Sequence, residues 1–160
     1  MVVADSGPLI ALARLSLLQL LPQSFETVLV PEVVFLECTR HGDRPGARAI
    51  LTAGDAGLFR RVPVPGAEAF AGEHLLDGGE SAALLLAQEL AVPGLVDERK
   101  ARLVARRLGI VVVGTVGVLV AARIAGQVGP LRPLFDALGE FGYRVSDALI
   151  QDALRRVGET

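Results

Sequence analysis

Short apolar runs alternate along the chain with longer segments whose apolar residues recur at helical spacing. Val2–Asp5, Thr27–Val30, Arg61–Val64, Leu95–Asp97 and Ile110–Gly114 predict short strands, each bounded by Gly, Pro or acidic positions. Helices are expected over Pro8–Leu21, stopped by Pro22, over Glu32–Thr39, and from Pro45 to about Ala53. Further helices are expected over Gly79–Leu90, Arg99–Leu108 (capped by Gly109), Val116–Ala125 and Pro130–Phe141. Ser146 caps a last one running through Val157. His41–Gly46 and Pro65–Leu76 read as loops, the second being the least regular stretch of the chain and a candidate border of a site. Parallel strands need crossover connections, and helices supply them here, so the pattern predicts an α/β fold around a central parallel sheet.

A chain of 160 residues is expected to form one domain, 1–160. Half of its residues are apolar and only 4% are aromatic, so the core should be built of Leu, Val and Ala. The formal net charge of −2 excludes a globally basic nucleic-acid magnet; polyanion contact would have to come from a local patch. Cys38 is the single cysteine, so no disulfide framework is possible, which fits a cytoplasmic protein. The apolar stretch 110–122 is interrupted by Gly114 and Gly117 and is shorter than the roughly 20 residues of a membrane-spanning helix. The apolar first twenty residues carry Asp5 and Arg14 and lack a basic start. No membrane association is expected.

The chemistry is carried by acids. Asp5 and Asp97 each close a predicted strand, at the end where open α/β sheets place their ligands. If the two strands are neighbours, the carboxylates face one crevice. Glu37 follows Val33 and Val34 at helical spacing, and Glu80 heads a stripe made by Ala83, Leu84 and Ala87, so both sit on apolar rather than solvent faces. Each has a plainer reading: a turn with Gly7 for Asp5, a snorkelling partner of Arg40 for Glu37, dipole stabilisation for Glu80, an N-cap for Asp97. Taken together, several acids aimed at one crevice point to a hard divalent cation, which removes the repulsion between them. Asp77 reads as a capping residue. Glu32, Glu98 and Asp147 read as first-turn acids.

Other chemistries find little support. His41 and His74 are loop residues far apart, and Cys38 reads as core. No GxxxxGK[ST] or GxGxxG phosphate loop is present. Asp5-Ser6-Gly7 lacks the second acid that aspartyl-phosphate phosphohydrolases use. One basic helix stands out, with Arg99, Arg102 and Arg106 on one face and Ala101, Val104, Ala105 and Leu108 opposite. Alone it is a solvated face; beside an acidic crevice it becomes a candidate track for a phosphodiester backbone.

Four segments in this order and spacing resemble the PIN-domain family of metal-dependent nucleases: Val2-Val3-Ala4-Asp5-Ser6-Gly7-Pro8, Val30-Pro31-Glu32-Val33-Val34-Phe35-Leu36-Glu37, Asp77-Gly78-Gly79-Glu80-Ser81-Ala82-Ala83 and Leu95-Val96-Asp97-Glu98. Val113-Gly114-Thr115-Val116-Gly117-Val118-Leu119 is similar to an uncharacterised prokaryotic branch of it. The resemblance implies a three-layer α/β/α sandwich with a five-stranded parallel sheet ordered 3-2-1-4-5. It implies a catalytic quartet of Asp5, Glu37, Glu80 and Asp97, with Mg²⁺ or Mn²⁺ on Asp5, Glu80 and Asp97, and Ser6 in support. It further implies a VapC-like ribonuclease with a homodimer and an antitoxin as partners; single-stranded RNA is the expected substrate, guided by the basic face of Arg99, Arg102 and Arg106. Glu80 stands where Asp is commoner in the family, and Leu95 where Thr or Ser usually precedes the fourth acid. A PIN-like binding module that cleaves nothing, or a phosphotransferase or phosphatase on a related scaffold, are the competing expectations.

Overall fold

A computed structural model describes residues 1–159. Its elements follow the chain as β1 (Val2–Ala4), α1 (Ser6–Arg14), α2 (Leu20–Ser24), β2 (Val28–Pro31), α3 (Glu32–Thr39), α4 (Ala47–Asp55), β3 (Arg60–Val62) and α5 (Ala67–His74). They continue with α6 (Gly78–Leu90), β4 (Gly94–Leu95), α7 (Arg99–Arg107), β5 (Val112–Val113), α8 (Thr115–Ile124), α9 (Leu131–Glu140) and α10 (Asp147–Arg156). The strands form one five-stranded sheet in the order β3-β2-β1-β4-β5, every pair parallel. The expected fold, sheet direction and strand order are therefore what the chain adopts.

The layers follow from the side-chain alternation of β1. Val2 and Ala4 point to one face and join Leu9, Leu12, Ile50, Leu119, Leu138 and Leu154 in the larger apolar cluster. Val3 points to the other face and packs with Leu84, Ala87, Val104 and Phe70. Helices thus cover both faces, and the three β1 residues are fully buried, as central parallel strands require. Burial of each Leu or Val side chain in these clusters stabilises the fold by roughly 1.5–3 kcal/mol.

Local structure departs from the sequence expectation in three places. The first helix does not run to Leu21: it ends at Arg14, and Ser16 takes a left-handed backbone with φ 59°. Past the break Leu18, Leu20 and Leu21 are all buried in the core. Pro22 does not stop a helix but lies inside the first turn of α2, where its missing N–H would have had no partner. Pro65–Leu76 is not a loop, since Ala67–His74 forms α5 with the His74 ring tilted against Phe70 at 4.3 Å between ring centroids. Phe70 is its single buried residue, so the segment shows no apolar stripe although its Ala and Glu favour a helix.

Candidate active site

Asp5 is the first residue past β1, held in line by its amide donating to the Leu95 carbonyl of β4 at 3.0 Å. The chain turns at once into α1, with Pro8 in the first helical turn. The turn leaves the Asp5 carboxyl 4% exposed, and its Oδ1 has no hydrogen-bond partner. Burial drives the Asp5 pKa up from 3.8 to about 7; the Ser6 amide opposes this, while Glu80, Asp77 and Glu37 add negative potential. An orphaned carboxylate oxygen surrounded by other carboxylates is destabilising as it stands.

Asp97 follows β4, the strand that pairs directly with β1. It does not cap α7: Glu98 occupies that position and accepts from the Lys100 amide at 3.4 Å. Instead Thr115, at the start of α8, donates to both Asp97 oxygens, its amide to Oδ1 at 2.7 Å and its hydroxyl to Oδ2 at 2.6 Å. Tyr143 approaches the same pair, and burial first, then the Asp97 charge, raises its phenol well above the ordinary value. Gly114 leaves room for this carboxylate, and Gly7 lies in ordinary contact with it. A β-carbon on Gly114 would lie 3.0 Å from Asp97 Oδ1, and one on Gly7 3.6 Å from Oδ2.

The head of α6 supplies the remaining acids. Asp77 is its N-cap and accepts from the Glu80 amide at 2.8 Å. This fixes Glu80 in the first helical turn, half-buried, its pKa raised by burial and then by Asp77. Glu37 arrives from α3 and lays its carboxylate on Gly79; a β-carbon there would stand 2.7 Å from both of its oxygens. Its pKa is raised by burial and by Asp77, while the Arg40 charge and then the Gly79 amide work in the opposite sense.

Asp5, Glu80 and Asp97 line one cavity of about 700 Å³ at the carboxyl end of the sheet. Glu37 lines a neighbouring cavity of about 330 Å³, and Ser6 borders both. The acids from distant stretches thus gather in one region, but among the described residues no three acidic, His or Cys side chains stand close enough to form a metal cluster. The donor set is oxygen-only and includes an unpartnered buried oxygen, which suits a hard cation held by one or two carboxylates with water completing the shell.

The basic helix divides. Arg102 borders the larger cavity and donates to the Val96 carbonyl at 2.9 Å, whereas Arg99 and Arg106 are exposed outside it. The positive wall of the cavity is completed by Arg144 and Arg156 from the end of the chain, which the sequence reading passed over together with Thr115 and Tyr143. For Thr115 a signal existed, a hydroxyl directly after a strand-ending Gly114. For Arg144 and Arg156 there was none, because only the packing of α10 on α8 and α9 brings this stretch of chain to the cavity. Cys38 is buried core with its thiol pushed up to about 12, and Glu32 is tied to Arg61.

This fold and site define a PIN-like α/β sandwich with an acidic crevice. A family model described as a PIN domain matches residues 1–159, and the chain belongs to that family. PIN domains are generally nucleases and typically use divalent metals. No curated protein and no solved structure matches the chain. Among the described residues no helix is long and apolar enough to cross a membrane.

Proposed function

We propose that the protein is a Mg²⁺- or Mn²⁺-dependent ribonuclease that cleaves single-stranded RNA, serving in the cytoplasm as the toxin of a toxin–antitoxin module. The observation that carries the nuclease reading is the buried, unpartnered Asp5 oxygen amid Glu37, Glu80 and Asp97 in a chain of a nuclease family. The toxin role, the homodimer and the antitoxin partner rest on the resemblance of the sequence motifs alone.

Asp5, Glu80 and Asp97 would hold the cation. When bound, such an ion lowers the pKa of water and stabilises charge on the leaving oxygen. The chain's own residues do the rest. Thr115 fixes both Asp97 oxygens and so sets the direction of their free lone pairs. The Ser6 amide steadies Asp5, and Ser6 joins the two cavities. Glu37, held against Gly79, contributes negative potential to Asp5 from the far side. Arg102 supplies a cation beside Asp97. At neutral pH Asp5 is close to half-protonated, so its proton must leave before its oxygen can serve as a ligand.

The test is cleavage of unstructured RNA in manganese by the wild-type chain and by Asp5→Asn. Loss of cleavage in a variant that stays folded supports the reading; equal cleavage by both overturns it. The absence of a closed three-acid cluster among the described residues favours one rival, a PIN-like binding module without turnover. RNA binding with no cleavage across varied sequences and both metals would establish that rival.

A further inference from the structure

The two cavities that meet at Ser6 carry separate sets of arginines. The larger has Arg144 and Arg156, with the hydrogen-bonded Arg102, among the residues that line it with Asp5, Glu80 and Asp97. The smaller has Arg40 and Arg44 beside Glu37. Arg40, Arg44, Arg144 and Arg156 are exposed, and among the described residues none of the four forms an ion pair or a side-chain hydrogen bond. Three arginines are by contrast spent on structure: Arg61 on Glu32, Arg123 on Glu159, Arg14 on the Phe141 carbonyl at 3.3 Å.

The platforms under the four are fixed. Arg14 also lies 4.2 Å from the Phe141 ring centroid, which ties the segment bearing Arg144 to α1. The Tyr143 amide donates to the Leu138 carbonyl at 2.9 Å. Buried Ala153 and Leu154 seat α10, and Glu159 accepts from the Leu131 amide at 2.8 Å, holding the end of the chain against α9. Arg40 ends α3, and the Arg44 amide donates to the His41 carbonyl at 2.9 Å. Cations left unpaired beside a repelling acidic centre suit a ligand whose negative charges recur at intervals.

We propose that Arg144 with Arg156 and Arg40 with Arg44 are two phosphate subsites, holding the backbone of one extended nucleic-acid strand on the two sides of Ser6. This rests on the ribonuclease reading for the identity of the strand. It replaces Arg99 and Arg106 as the tracking surface, since both lie outside the cavities. It also accounts for how a polyanion approaches four carboxylates: attraction at the rims offsets repulsion at the centre. A phosphomonoester, with one anionic group, could engage a single rim only.

The experiment measures binding of a fluorescent single-stranded RNA twelve nucleotides long in magnesium, against salt. It uses the Asp5→Asn background, where the strand stays intact. Each phosphate contact on a single strand contributes about 0.7 to the slope of log K against log salt. Arg144→Gln/Arg156→Gln and Arg40→Gln/Arg44→Gln, each removing one phosphate subsite, should each lower the slope by about 0.7, and the quadruple variant by about 1.4. Arg99→Gln/Arg106→Gln should leave it unchanged. An unchanged slope in either rim pair, or a larger drop in the Arg99/Arg106 control, overturns the proposal. Cleavage by the wild-type chain in manganese is measured separately. If RNA is cleaved but the rim pairs do not alter the slope, the subsites are wrong and the nuclease reading stands. If nothing is cleaved yet both rim pairs lower the slope, the subsites stand and the nuclease reading fails. No measurable binding overturns the subsites.

Discussion

Thr115 holds Asp97 by both oxygens, through its amide at 2.7 Å and its hydroxyl at 2.6 Å, across eighteen residues of sequence. The threonine is wholly buried, so the contact exists for the carboxylate and not for solubility. Thr115→Val keeps the amide and the shape but leaves Oδ2 without its donor. Cleavage and manganese affinity should fall about 10–100-fold, the usual cost of losing a group that orients a metal ligand. Thr115→Ser should retain most of both. The checks are initial rates with RNA and a manganese titration followed by calorimetry; full activity in Thr115→Val would remove the residue from the site.

Gly79→Ala tests the placement of Glu37. Its new β-carbon would fall 2.7 Å from both Glu37 oxygens, a separation no relaxed structure permits, so the carboxylate must move. Activity should drop in Gly79→Ala and in Glu37→Gln, and the double variant should be little worse than either alone. Such non-additivity is the signature of one shared mechanism. Additive losses measured in the kinetic cycle would show that Gly79 acts independently of Glu37.

The pH dependence of stability follows from Asp5. Its folded-state pKa is about 7, above the 3.8 of an ordinary aspartate, so between those values the folded chain binds more protons than the unfolded one. Stability of the metal-free protein should therefore fall as pH rises from about 4 to about 7, by an amount on the order of a few kcal/mol. Asp5→Asn should flatten that decline and raise the metal-free melting temperature at neutral pH. Manganese should stabilise the wild-type chain more at pH 8 than at pH 5.5. Thermal melts across this range decide it; a stability that climbs with pH over the same interval contradicts the protonated Asp5.

Cys38 should be chemically silent. Burial, with Glu37 and Asp5 adding negative potential, pushes its thiol up to about 12, and only a thiolate is a good nucleophile. Alkylation at pH 8 should be negligible in the folded protein and rapid in denaturant. Mass spectrometry after timed labelling reads the difference, and fast native labelling would mean that α3 opens readily.

The sequence by itself determined what depends on neighbouring residues. Apolar run lengths gave β1 and β2, and helical spacing set the α6 and α7 faces. The caps at Asp77 and Ser146 were legible because a capping side chain bonds to an amide only two or three residues ahead. Asp5 and Asp97 were visible as acids ending apolar strands, and their order with Glu37 and Glu80 carried the family resemblance. Only the tertiary structure decided which groups those acids meet. Thr115 reaches Asp97 because β5 lies beside β4, and Arg144 and Arg156 reach the cavity because α9 and α10 pack against α8. The turn at Ser16 and the helix Ala67–His74 likewise answer to packing, one aiming leucines into the core and the other resting on a single buried phenylalanine. Local periodicity is written into the chain by bond geometry, whereas contacts between distant segments are selected by the burial and charge of the whole, which no short window of residues contains.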